Sequence, residues 1–132
     1  MTSSLSIIEI KSPGDLAHER VVVRVLEDIN VGNYLLFSAI ANDKGVYAGP
    51  GVGFWLPNLT VKQEDTVVIY TKKGDAKEKE LGGGRKSHFI YLNRTTPIWN
   101  DDKRAAVLFC VGDVWSKYKV GGFSDDADTE PA

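Results

Sequence analysis

Apolar residues in this chain recur at every second position, in runs of at most seven residues, and nearly every run is cut by a turn rich in Gly, Pro, Asn or Asp. That spacing belongs to strands, whose side chains alternate between two faces, and not to helices. Residues 5–10 place Leu5, Ile7, Ile8 and Ile10 in an apolar run with Glu9 turned out, and Ser12-Pro13-Gly14-Asp15 supplies turn chemistry. In residues 19–26, Val21, Val23 and Val25 alternate with Arg20, Val22 and Arg24. Further strands are expected at 34–40, 54–56, 66–71, 87–92, 105–111 and 114–120, with breaks at 30–33, 42–45 and Pro57-Asn58. The segment 66–71 is almost wholly β-branched or aromatic, and Gly112-Asp113 is a two-residue hairpin link. Residues 76–81 (AKEKEL) are long enough for one helical turn only. The expectation is an all-β sandwich or barrel of about seven to nine short strands.

A length of 132 residues fits one domain, and 42% hydrophobic content excludes disorder of the whole chain. No apolar run approaches the roughly 18–20 residues of a membrane helix. The single cysteine, Cys110, excludes an internal disulfide framework and a cysteine-rich zinc site. The N-terminal residues have no basic start and no extended apolar stretch, so a cytoplasmic protein without membrane insertion is expected. Net charge is −2, yet residues 121–132 carry four acidic and no basic residues, leaving 16 basic against 14 acidic residues in the body. Residues 1–120 are therefore expected to form the domain and 121–132 a disordered acidic tail. A body this mildly charged lacks the strong basic excess of a purely electrostatic nucleic-acid binder.

The reactive residue types form no catalytic pattern. His18 and His88 have no partners at metal-ligand spacing, so no metal and no cofactor is expected. No Gly-x-Ser-x-Gly elbow is present, and Cys110 lies within an apolar strand, where a buried, inert thiol is expected. Glu64-Asp65, Asp101-Asp102 and Asp125-Asp126 are adjacent pairs that read as solvated turns and tail. Gly82-Gly83-Gly84-Arg85-Lys86 lacks the spacing of a phosphate loop and reads as a flexible link between strands. The surrounding segment 72–86 holds six basic and three acidic residues, and Lys72, Lys73, Arg85 and Lys86 are the candidate contacts for an anionic partner. Phe54, Trp55, Tyr91, Trp99, Trp115 and Tyr118 could form a stacking surface, but core positions are expected for most of them. Val67, Ile69, Val107, Phe109 and at least one of Trp55, Trp99 and Trp115 are expected to be buried.

Residues 52–71 (VGFWLPNLTVKQEDTVVIYT) resemble the central part of the lamin-tail domain, in which an aromatic strand ends in proline and a turn leads into a β-branched strand. Residues 98–115 (IWNDDKRAAVLFCVGDVW) are similar to that family's second signature, and residues 6–14 and 32–37 fall in its order. Gln63-Glu64-Asp65 stands where the family usually has a glycine turn. The resemblance implies an immunoglobulin-like β-sandwich used as a non-catalytic interaction or scaffolding module. The partner it implies is first a protein and second a nucleic acid, with self-association through edge strands a further route. The alternative reading is a small hydrolase or carbohydrate-binding sandwich with its site on the end loops.

Overall fold

A computed structural model describes residues 4–46, 51–100 and 103–112. The expected strand at 114–120 and the acidic tail at 121–132 lie outside the described residues. Among the described residues eleven strands follow one another: β1 (Leu5–Lys11), β2 (Arg20–Val25), β3 (Ile29–Asn30), β4 (Tyr34–Asn42), β5 (Gly45–Val46), β6 (Val52–Trp55), β7 (Thr60–Val61), β8 (Thr66–Tyr70), β9 (Lys77–Gly82), β10 (Arg85–Tyr91) and β11 (Arg104–Cys110). The one helical element among the described residues is a 3-10 turn, Val31–Asn33. None of the described residues forms a helix long and apolar enough to cross a membrane. The protein is all-β.

One sheet has five strands in the order β1-β2-β8-β10-β9, antiparallel except for the β8–β10 pair, which is parallel. In the other, β4 pairs with β11 along one edge and with β5 and β6 along the other. The short β3–β7 ladder is separate. Val21, Val23, Val25, Val67, Ile69 and Ile90 of the first sheet share a core with Tyr34 and Leu36 of the second, joined by Leu56 and Trp99. These are the inward members of alternating runs, so the period of two became a single apolar interior.

Val67, Ile69 and Trp99 are buried as expected, each at most 2% exposed. Three expectations need correction. Phe109 is 50% exposed, because β11 presents the opposite parity to the core. On β11 it is Ala106 and Leu108 that pack inward, while Phe109 stands outside against Phe37, edge to face at 5.7 Å. Val107 is half-buried and Cys110 is exposed rather than enclosed. A strand read as entirely apolar gives no signal of which face turns inward.

The segment 76–81 is not a helical turn, and residues 82–86 are not a flexible link. Lys77–Gly82 forms β9, joined to β10 by a tight hairpin at Gly83 (φ +64°) and Gly84 (φ +80°). Two consecutive positive φ values make a tight turn that glycine adopts without strain, so these glycines set a register. At the turn before β8, Glu64 takes the left-handed conformation (φ +78°) that a glycine would occupy most easily.

These faces set contrasting stability costs. Ile69→Ala should cost about 2–5 kcal/mol in denaturant unfolding, the usual range for a filled core site. Phe109→Ala should cost about 1.5 kcal/mol or less, since it chiefly removes one edge-to-face ring pair. Equal losses would show that β11 packs with the reverse face.

Candidate functional site

The outer face of the five-stranded sheet is built by cross-strand register. Opposed residues point to the same side, so the partners of Val21, Val23 and Ile69 form the core while their sequence neighbours form a surface. One row runs Lys11–Arg20–Tyr70–Tyr91 across β1, β2, β8 and β10. The next runs Glu9–Val22–Val68–Phe89–Lys77, ending on β9. A third runs Ser6–Arg24–Thr66–Ser87–Lys79. Lys72, just beyond β8, joins this face by placing its Nζ 5.1 Å from the centre of the Tyr70 ring.

Tyr70 is the hub of this surface. Its ring stacks on Tyr91 at 5.2 Å with planes 11° apart and lies 6.4 Å from Phe89. Arg20, on the strand to the other side of β8, approaches within 5.7 Å of the ring centre and donates from Nη1 to the His18 carbonyl at 2.7 Å. Neither Arg20 nor Lys72 forms an ion pair among the described residues. Lys11 and Arg24 are instead met by Glu9 at 3.6 Å and Glu64 at 3.7 Å. Gly74 is required beside Tyr91, since a Cβ there would fall 2.5 Å from the Tyr91 ring.

Two buried carboxylates hold β8, the strand that carries Tyr70. Just before β8, Asp65 is 3% exposed and accepts from the Lys62 and Lys86 backbone N–H groups at 3.1 and 2.9 Å. Its Oδ2 also lies 2.9 Å from His88 Nε2, whose ring is buried on β10 with Glu78 3.7 Å from Nδ1. Just after β8, Thr71 donates its hydroxyl to fully buried Glu19 at 2.6 Å. Glu19 also accepts from the backbone N–H groups of Gly14 and Ile98 at 2.9 and 2.8 Å. Asp65 was expected to be a solvated turn residue; these bonds make it a structural one. His18, the other histidine, pairs with Asp15 in an exposed turn at 2.9 Å.

The four basic residues expected to act together are spread apart. Lys72 lies beyond the Tyr70–Tyr91 end of the β8–β10 pair, while Arg85 opens β10 at the other end, about 20 Å away along the strand at roughly 3.3 Å per residue. Lys73 and Arg85 are exposed. Lys86 falls in the opposite parity, bonded to Glu78 at 3.2 Å and 3.9 Å from Glu80. The bond to Glu78, then the charges of Glu78, Glu80 and Asp65, raise Lys86 above the ordinary lysine range against the opposing effect of burial. Of the four, Lys72 alone is seated on the aromatic face. Arg20, Tyr70 and Phe89 were missed because their grouping depends on which strands become neighbours.

A cleft of about 610 Å³, which shares Tyr91 with that face, lies between β6 and the segment leading into β9, lined also by Phe54, Trp55, Asp75, Leu92 and Asn93 among others. Trp55 is pinned by its indole N–H donating to the Gly32 carbonyl at 2.7 Å, and Arg94 sits 5.7 Å from the Phe54 ring centre. Among the described residues, no cluster of three or more His, Cys, Asp or Glu could hold a metal ion.

Burial by itself would raise the Asp65 carboxyl, but the bond to His88, the Lys62 and Lys86 N–H groups and the attraction of His88 outweigh it and hold the group below the ordinary aspartate range. A folded-state value below the unfolded value of about 3.9 stabilises the protein above that pH and loses the contribution as pH falls through the folded value. The advantage of the wild type over Asp65→Asn in urea midpoint should therefore shrink between about pH 5 and pH 3. A difference that stays constant with pH would remove the charge from this account. Asp65→Ala should cost about 3 kcal/mol or more, because three donors lose their acceptor at about 1–3 kcal/mol each.

No family model, curated protein or solved structure matches the chain.

Proposed function

We propose that this protein is a non-catalytic interaction module, an immunoglobulin-like sandwich resembling the lamin-tail domain, whose contact surface is the outer face of the five-stranded sheet. The supporting observation is the composition of that face: Tyr70, Phe89 and Tyr91 are surrounded by Lys11, Arg20, Arg24, Lys72, Lys77 and Lys79, against Glu9 and Glu64. A face where cations outnumber acids attracts an anionic partner, and a rigid sheet presents it without ordering a loop. β9 at one edge of this sheet carries Lys77, Glu78, Lys79 and Glu80, a run of charges that discourages edge-to-edge pairing there.

The protein should be retained on immobilised heparin and elute with salt, as exposed charges are screened beyond about 8 Å at physiological ionic strength. Replacing Arg20, Lys72, Lys77 and Lys79 by Ser should bring elution to markedly lower salt, while replacing Lys73, Arg85 and Lys86 should change it less. An equal shift per charge removed in both variants would show that only total charge matters.

The cleft favours a second reading, a carbohydrate-binding sandwich, because Trp55 and Phe54 offer apolar ring surface beside the polar Asp75 and Asn93. Neutral oligosaccharides should then give a saturable change in tryptophan fluorescence that Trp55→Phe alters. No saturable change across a panel would discard this reading.

A further inference from the structure

We propose that a second copy of this chain covers the outer face of the sheet built on β4, two copies stacking face to face about a two-fold axis. That face is opposite in character to the cationic one. Ladder register sets its rows: Phe109–Leu35–Trp55 across β11, β4 and β6, then Val107–Phe37–Gly53, then Ala105–Ala39. Tyr34, Leu36 and Leu108, their sequence neighbours, pack on the core, so these residues turn outward. None of the eight carries a charge, and their one polar side-chain group, the Trp55 indole N–H, is already bonded to the Gly32 carbonyl. Trp55 and Phe109 are 62% and 50% exposed. A contiguous apolar patch of this kind marks a surface for association.

Charge, shape and area together select a second copy. A two-fold contact sets each patch against itself, so any charge on it would meet its like. The cationic face fails that condition and the uncharged face meets it. Side-chain size also falls along the strands, from Trp55, Leu35 and Phe109 at one end to Ala39 and Ala105 at the other. Between them Phe37 lies over glycines, since a Cβ at Gly53 or Gly51 would fall 2.6 or 2.8 Å from its ring. A two-fold axis crossing the strands at the level of Phe37 sets the bulky row of each copy over the small row of the other. That is the interdigitation by which two stacked sheets fill the space between them. Half or more of two large aromatic side chains, with the half-buried Leu35, Phe37 and Val107, comes to on the order of 500 Å² per copy. Two such patches reach about 1,000 Å², the lower bound of a specific interface, so the dimer should dissociate on dilution. Its two cationic faces would then point outward on opposite sides, although the dimer itself does not depend on what they bind.

Sedimentation velocity of the full chain from about 1 to about 300 μM should show the mass rising from one chain to two. Trp55→Ser with Phe109→Ser should raise the dissociation constant about 30-fold or more, the scale of losing interface hot spots. Replacing Arg20, Lys72, Lys77 and Lys79 by Ser should leave it within about threefold, because charges on the far side of the molecule are screened. A chain monomeric throughout would overturn the proposal and leave the face to another partner or another segment of the chain. A dimer that the aromatic variant does not weaken would overturn it as well, since the contact would lie elsewhere. Should that variant not fold, a nitroxide on the exposed Cys110 of the otherwise native chain decides. Cys110 pairs with Tyr34, three residues from the level of Phe37, so the axis separates the two labels by about 20 Å along the strands and about 10 Å between sheets. A label separation of roughly 20–25 Å supports the stacked dimer, and a clearly different one overturns it.

Discussion

Two carboxylates taken out of water at the ends of one strand hold this structure together. A buried carboxylate is tolerated only when its oxygens are fully hydrogen-bonded, so each must gather donors from wherever the chain can supply them. Glu19 gathers them from Gly14, Thr71 and Ile98, and Asp65 from Lys62, Lys86 and His88. The bonds from Asp65 matter especially because β8 and β10 are parallel. Parallel neighbours cannot be joined by a tight turn, so their alignment must be set by long connections and specific contacts. Asp65 reaches across that boundary to the Lys86 N–H and to His88, pinning β10 at one fixed level beside β8.

That alignment has consequences on the opposite side of the sheet. Tyr70 stacks on Tyr91 and faces Arg20 only while the three strands keep this register. A slip of one residue on β10 would turn Phe89 and Tyr91 inward and His88 outward, removing both the aromatic surface and the partner of Asp65. Core polar bonds and the exposed aromatic face are thus two results of one register. The β9–β10 hairpin extends the arrangement, since its glycine turn aligns Lys77 with Phe89 and Lys79 with Ser87 while directing Glu78 toward His88.

The strand content was legible in the sequence because alternation in 19–26 and the β-branched run at 66–71 need no tertiary information. Turn positions at 42–45 and 12–15 were legible for the same local reason. β9 was not, because Lys77, Glu78, Lys79 and Glu80 have no apolar member to mark a face; it is a strand because β10 offers it a ladder. Parity on β11 also escaped, since Ala105 through Phe109 are all apolar and only packing against β4 and the core selects Leu108 over Phe109.

The basic segment 72–86 was visible as a charge excess, but its division was not. Lys72 joins Tyr70, while Lys86 turns to Glu78, because alternation along β10 and the end of β8 place them on different sides. Composition and spacing by themselves determined that this chain forms short strands around one apolar interior, since hydrophobic alternation is a local property. Which strands lie side by side, which face of an apolar strand turns inward, and which distant cations meet one tyrosine were decided only by the tertiary structure. Those outcomes depend on satisfying buried polar groups with donors far away in the chain, and no local pattern records where such donors will arrive.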